Sequence, residues 1–310
     1  MSWKKAGREA LKDAYMIVTV SLIWLVHGSK SPRLRAWLAA GAARAAYMLS
    51  RRKRLRVQQR LAQIFGGEMT AEQCRAVTWQ TFQTHWQDIF NAPPFQPGDW
   101  ALANPQFDGL HRIEEARAGG RGVILVESSG FGHRAAGKQL LHRQGIAVHT
   151  VHSENHLWGL SGRPFTRVRR HLIRPVLEKL EQEYVAEIVY LPFSASLGYA
   201  RHLLQVLKDN GVVCVSGDGR FGKNLVELPF FDRLNVYTTG VASLSRLSGA
   251  PLLPVFCIAG PDGALCLSVE PALALARDKG GERSPADGIA EYMRRLEAHI
   301  RQQPGQYRQW

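Results

Sequence analysis

From about residue 107 onward the chain alternates short apolar runs with stretches of helical periodicity, and this alternation constrains the fold more than any other feature. Gly122–Glu127 (GVILVE), Ile146–Val151, Glu187–Leu191, Val212–Ser216, Leu252–Ile258 and Leu265–Val269 read as strands. Arg134–Gln144, Arg163–Glu183, Leu197–Lys208, Thr239–Leu247 and Ala286–Arg301 read as helices. Strands separated by helices of about 10–15 residues imply crossover units and a largely parallel sheet. Upstream, residues 55–64 and 71–91 carry helical periodicity, the second with Cys74, Val77, Thr78, Phe82 and Trp86 on one face. Pro93, Pro94 and Pro97 end that helix before the alternation begins. The expected fold class is α/β: a mostly parallel sheet flanked by helices, preceded by a helical membrane-associating segment.

Composition narrows the function classes. With 310 residues, 45% hydrophobic and 21% charged, the chain is neither disordered, collagenous nor a disulfide mini-protein. Its formal charge is +14, and residues 1–60 hold 14 basic groups against Glu9 and Asp13. Those cations flank two apolar runs, Ala14–Val26 and Ala36–Leu49, and RRKR follows at 51–54. The first run, 13 residues, is marginal against the roughly 17–25 that a spanning helix needs, so a single N-terminal anchor, a peripheral seat and a buried helical hairpin all stay open, with the membrane reading favoured. Short apolar helices edged by Lys and Arg, with Trp3, Trp24, Trp37 and Tyr47 as interfacial anchors, suit the surface of an anionic bilayer. The chain is therefore expected to divide into a membrane-associating segment, 1–60, and an α/β domain, 61–310. Basic groups that edge apolar helices do not form a nucleic-acid reading surface, so no nucleic-acid partner is expected. Cys74, Cys214, Cys257 and Cys266 lack CxxC or zinc spacing, which points to buried thiols and to no metal.

Sites in open α/β sheets lie at the carboxyl ends of the strands. Two segments satisfy that rule: Glu127-Ser-Ser-Gly-Phe-Gly-His133 after GVILV, and Gly217-Asp-Gly-Arg-Phe-Gly-Lys223 after VVCVS. Both are glycine-bearing turns in which a polar substrate can meet backbone N–H groups. Neither is a dinucleotide fingerprint, a P-loop or a GxSxG elbow, which argues against a serine hydrolase built on Ser128 or Ser129.

The segment VELPFFDRLNVYTTGVASLSRLSGAPLLPVF, 226–256, resembles the second half of the lysophospholipid acyltransferase-like superfamily, and in particular the late acyltransferases of lipid A biosynthesis. Asp218, Gly222, Phe230–Phe231, Thr239–Gly240 and Gly249–Phe256 match that family's order of landmarks. Residues 54–65, 107–126 and 296–310 are similar to its first helix, the block before its catalytic turn and its ending. The resemblance implies transfer of a fatty acyl group from an acyl carrier protein or coenzyme A thioester to a hydroxyl of a membrane lipid or glycolipid. It implies no cofactor beyond that donor, and a place on the cytoplasmic face of a bacterial inner membrane.

The family's hallmark, a histidine followed after four residues by an acid, is absent. An ungapped match puts Ser129 and Arg134 in those places, and a shift of one puts Gly130 and Ala135 there. Three readings stay open. His133 acts as the base, supported by Glu127 or by an acid from elsewhere; or His149 or His152, near Glu154, reaches the same pocket; or the chain binds lipid without chemistry. On the first reading His133 and Glu127 are catalytic, the backbone of the 128–132 turn stabilises an oxyanion, and Ser128, Ser129, Gly130, Asp218, Arg220 and Lys223 form the substrate-binding part, with Asp218 fixing the second turn and Arg220 and Lys223 holding a phosphate. Five arginines in 163–174 are expected to meet phosphates or an acidic carrier protein.

Overall fold

Four helices come first: α1 (Trp3–Ser29), α2 (Pro32–Leu49), α3 (Arg51–Phe65) and α4 (Ala71–Phe90). The computed structural model describes residues 3–99, 104–153, 166–192, 198–220, 222, 224–260, 262–274 and 284–310. Ser31 opens α2, its side chain accepting from the Leu34 N–H with Pro32 in the first turn. Thr70 and Gln73 cap α4 reciprocally, through Gln73 N to Thr70 Oγ1 at 3.2 Å and Thr70 N to Gln73 Oε1 at 2.7 Å.

The remainder runs β1 (Gln106–Asp108), α5 (His111–Arg117), β2 (Val123–Glu127), α6 (Arg134–Arg143), β3 (Val148–Ser153), a π-helical turn (Arg169–Ile173), α7 (Arg174–Glu181), β4 (Glu187–Leu191), α8 (Gly198–Lys208) and β5 (Val212–Ser216). It continues through β6 (Leu225–Phe230), β7 (Arg233–Thr238), α9 (Gly240–Ser248), β8 (Leu252–Ala259), β9 (Leu265–Val269) and α10 (Pro285–Gln302). Seven strands form one sheet in the order β1-β9-β8-β2-β5-β3-β4, parallel throughout except for the β8–β9 pair. This is the α/β class that the alternation predicts. The sequence pattern assigns no strand between Ser216 and Thr239, whereas β6 and β7 form a separate antiparallel ribbon there. Burial along β6 alternates, but Pro229 falls within its six residues and breaks the short alternation.

Strand periodicity sorts the core into two layers. Val123, Leu125, Val148, Val212 and Cys214 pack with Leu140 and Leu141 of α6. Ile124, Val126, Val151 and Val213 pack on the other face with Leu203 of α8, Val241 of α9 and Leu296 of α10.

The division expected at residue 60 falls inside α3. Ala39 and Ala43 of α2 share a cluster with Trp86, Ile89 and Phe90 of α4, with Ile23 and Val26 of α1, and with Leu180 of α7. Small alanines let α2 approach α4 closely, so the first helices pack onto the rest of the chain along one face. Two of the cations expected to meet phosphates, Arg35 and Arg169, are turned inward. Arg35, 2% exposed, donates to Pro93 O at 3.3 Å and Pro94 O at 2.9 Å and faces Asp99 at 3.4 Å. Of the basic stretch 163–174, Arg163 lies outside the described residues. Arg169 is buried against α1, 3.2 Å from Glu9 and 2.8 Å from Asp13, which corrects its reading as a phosphate ligand. Arg167 and Arg170 stay exposed.

Candidate active site

Period-two alternation places Glu127, Ser216 and His152 near the carboxyl ends of the adjacent strands β2, β5 and β3, all on the face that α6 covers. His149, an odd number of residues from His152, turns to the opposite face. There its Nδ1 lies 3.1 Å from Glu187, which also meets His202 at 2.7 Å. Alternation thus separates the two histidines that the sequence leaves as alternatives.

The two glycine-bearing turns meet. Ser128 Oγ donates to Asp218 Oδ2 at 2.7 Å, the Ser129 N–H donates to both Asp218 oxygens at 2.8 and 3.0 Å, and Gly217 N donates to Glu127 O at 2.9 Å. Residues 303–310 then clasp the first turn. Gly132 N donates to Gln306 O at 3.1 Å, Arg308 N to Gly130 O at 2.8 Å, and Arg308 NH1 to Gly132 O at 2.8 Å. Gly132 has φ +68°, and a Cβ there would sit 2.3 Å from Cys257 O, so only glycine lets the turn lie this close to β8.

These bonds correct part of the expected site. The N–H groups of Ser129, Gly130 and Gly132 are spent within the fold, on Asp218, on Ser128 Oγ at 3.2 Å and on Gln306, so these three are not open to an oxyanion. Ser128 is 2% exposed and its hydroxyl is held directly by a carboxylate, an arrangement that does not activate a serine nucleophile. Ser129 Oγ accepts from Gln309 Nε2 at 2.9 Å. Asp218 is a turn-joining residue, and Arg220 is exposed beside the Tyr237 ring, its Cζ 6.0 Å from the centroid. Lys223 and Glu154 lie outside the described residues.

His133 caps the start of α6 and is 1% exposed, its N–H donating to Cys257 O at 2.7 Å. Burial lowers its imidazole to about 4, with Asp88 pulling upward and Arg308 pushing further down. Glu127 is engaged elsewhere, by Arg134 in a close ion pair and by Lys138 Nζ at 3.7 Å. Burial opposes its ionisation, and the Arg134 and Lys138 cations more than offset this, lowering its carboxyl to about 2. Asp88, from α4, is a carboxylate whose charge favours the protonated His133, while Glu127 is held by Arg134 and Lys138.

A cavity of about 60 Å³ opens beside this network, between the sheet rim and α4. Its walls include Ser129, Arg134, Ala135 and Lys138 from the first turn and α6, His85 and Asp88 from α4, His152 and Glu181, and Arg308, but not His133. Lys138 Nζ lies 3.0 Å from Glu181, and Glu181 takes His152 Nε2 at 2.9 and 3.0 Å. Burial works against the Lys138 ammonium, but Glu127 and Glu181 raise its pKa overall. The same kind of opposition, burial against His152 and Lys138, leaves the Glu181 carboxyl well below the ordinary range. Burial keeps His152 below the ordinary histidine value although Glu181 pulls it up. The cavity's other histidine, His85, has the cations Lys53 and Arg308 as neighbours, and burial with those charges lowers it to about 3. Sequence reading missed Asp88, Lys138, Glu181 and Arg308, because they reach the rim from α4, α6, α7 and the end of the chain, at separations that no local spacing reveals.

A parallel sheet with a buried, charged cavity at its carboxyl rim, covered by helices from the first part of the chain, defines an α/β enzyme with a rim site. The chain belongs to the bacterial lipid A biosynthesis acyltransferase family, whose sequence profile matches residues 4–310. It is thus an acyltransferase that uses an acyl donor and a lipid acceptor. No curated protein gives a significant match to the chain.

Proposed function

We propose that the protein transfers a fatty acyl group from a carrier-protein or coenzyme A thioester to a hydroxyl of a lipid A-type glycolipid at an anionic membrane surface, on the cytoplasmic side of the bacterial inner membrane. The observation that carries this reading is the family match over residues 4–310 combined with a polar cavity where the family's catalytic turn meets the sheet rim. Arg134, Lys138 and Arg308 in the cavity wall supply fixed positive charge toward the tetrahedral oxyanion, a role that the N–H groups of Ser129, Gly130 and Gly132 do not fill.

The first helix supports the membrane part of the reading. Glu9–Ser29 is 21 residues long and apolar enough to cross a bilayer. Met16, Ile23 and Val26 on one side of it are buried in protein, while Leu11, Val18 and Leu25, seven residues apart, are 73, 59 and 54% exposed on another. A helix packed on the protein along its length and apolar on its outer face fits in-plane seating at the headgroup boundary. Trp24 on the same helix, Trp37 and Leu49 of α2, and Arg51, Arg52 and Arg56 of α3 are exposed as well.

The test is to incubate the purified protein with dodecanoyl thioesters of carrier protein and of coenzyme A, and a lipid A-type acceptor in anionic vesicles. Released thiol should appear together with an acceptor heavier by one acyl group. A thioester bound but never consumed would instead establish a silent lipid-binding protein.

A further inference from the structure

The acyl-transfer reading needs a base, and the family's histidine–acid spacing is missing from the catalytic turn. The site of that chemistry can be sought by geometry instead: an imidazole with a carboxylate within hydrogen-bonding reach, in the wall of the rim cavity. His133 does not line the cavity, and His149 lies on the far face of the sheet. His85 does line it, but its electrostatic neighbours are cations. His152 meets every requirement: it lines the cavity, is 5% exposed, and holds its Nε2 2.9 and 3.0 Å from the two oxygens of Glu181.

We propose that His152 and Glu181, from the end of β3 and from α7, are the imidazole–carboxylate pair of this acyltransferase. They take the place of the histidine and acid that the turn after β2 lacks. This inference rests on the acyl-transfer reading above.

A carboxylate only accepts hydrogen bonds, so Glu181 fixes the imidazole proton on Nε2 and leaves Nδ1 as the basic nitrogen. Lys138, 3.0 Å from Glu181, keeps that carboxylate ionised without withdrawing it from the histidine. In the step itself the acceptor hydroxyl oxygen attacks the thioester carbonyl carbon while its proton passes to His152 Nδ1. A carbon–oxygen bond forms, the carbon–sulfur bond breaks, and the imidazolium returns the proton to the leaving thiolate. Ester and thiol are the products, with no other reactant consumed. His152 is the catalytic residue here and Glu181 a positioning residue. Their separation of 29 residues, against the five of the family hallmark, explains why a motif search along the chain does not find them.

The experiment measures thiol release and acceptor acylation with the full-length protein in anionic vesicles, using the dodecanoyl thioesters. The variants are His152→Ala, His152→Gln, Glu181→Gln and Glu181→Asp, with His149→Gln as the control on the opposite sheet face. Both His152 variants should lose at least about 100-fold in kcat, the usual contribution of a positioned base, with KM for the thioester little changed. Glu181→Gln should lower kcat with KM unmoved, and Glu181→Asp should recover part of that loss. His149→Gln should match the unmodified protein. Circular dichroism and the thermal midpoint check that each variant is folded. If His152→Ala does not fold, His152→Gln, close in size, decides. Wild-type turnover with a folded His152 variant at more than a third of its kcat would overturn this assignment alone. An inert wild type would overturn the acyl-transfer reading beneath it.

Discussion

At the scale of single residues, Asp218 matters through the turns it joins. Its carboxylate takes the Ser128 hydroxyl and the Ser129 N–H, so it sets the distance between the two rim turns without lining the cavity. Hydrogen bonds to a charged acceptor are worth about 1.5–3 kcal/mol each, and leaving the buried Ser128 donor unpaired adds to that. Asp218→Ala should therefore destabilise the fold by about 2–4 kcal/mol in urea unfolding, and Asp218→Asn by less, since the amide oxygen still accepts. An unchanged midpoint in Asp218→Ala would show that the turns are held by other contacts. The sequence offers Asp218 as a residue that fixes the second turn but not the partner it takes, because Ser128 and Ser129 lie 90 and 89 residues away along the chain. Glu127 shows the same ambiguity: adjacency to His133 suggests a dyad, but strand alternation hands its carboxylate to Arg134 and Lys138.

At the scale of elements, legibility followed periodicity. The core strands β2 and β5 each begin with four consecutive apolar residues, and β8 stays apolar on both sides of Pro254, so their pattern survives any tertiary context. The β6–β7 ribbon was lost behind Pro229, and residues 163–174 looked like an open basic face because the sequence cannot show that Arg169 has Glu9 and Asp13 opposite it. The first helix is the element whose function is most directly testable. Val18 and Leu25 face outward and away from the cluster formed by Ile23 and Val26. Each such side chain is worth about 1.5–3 kcal/mol when buried in an apolar phase. The double variant Val18→Asp/Leu25→Asp should lower partitioning onto anionic vesicles by at least about tenfold in a sedimentation assay, with the thermal midpoint retained. Undiminished partitioning would place the membrane contact on another face.

At the scale of the whole molecule, the buried histidines make the fold sensitive to acid. His133 and His85 are held neutral at about 4 and about 3 by burial, while an unfolded chain protonates histidine near about pH 6.5. The unfolded state therefore binds more protons as the pH falls through that window, and stability declines with it. His133 alone accounts for up to about 3 kcal/mol. The ion pairs of Glu127 and Glu181 are lost later, since their depressed carboxyls stabilise the fold until the pH drops below the ordinary carboxylate range. The urea midpoint should fall measurably between pH 7 and pH 5, and His133→Gln should flatten that slope. A midpoint constant down to about pH 4 would contradict these assignments.

The acyl group is assigned to change hands in the cavity under α4. Ala135 lines it, beside Arg134 and Lys138, and has been given no chemical role. Ala135→Leu fills the space and leaves every ion pair of the network its partner. The decisive measurement is the rate of acyl transfer from a dodecanoyl thioester to the glycolipid acceptor by this variant, beside the unmodified protein at equal folded concentration. A loss of at least about tenfold is expected, in line with what a small misplacement of reacting groups costs. Transfer at the unmodified rate would mean that the reaction takes place somewhere else on the molecule.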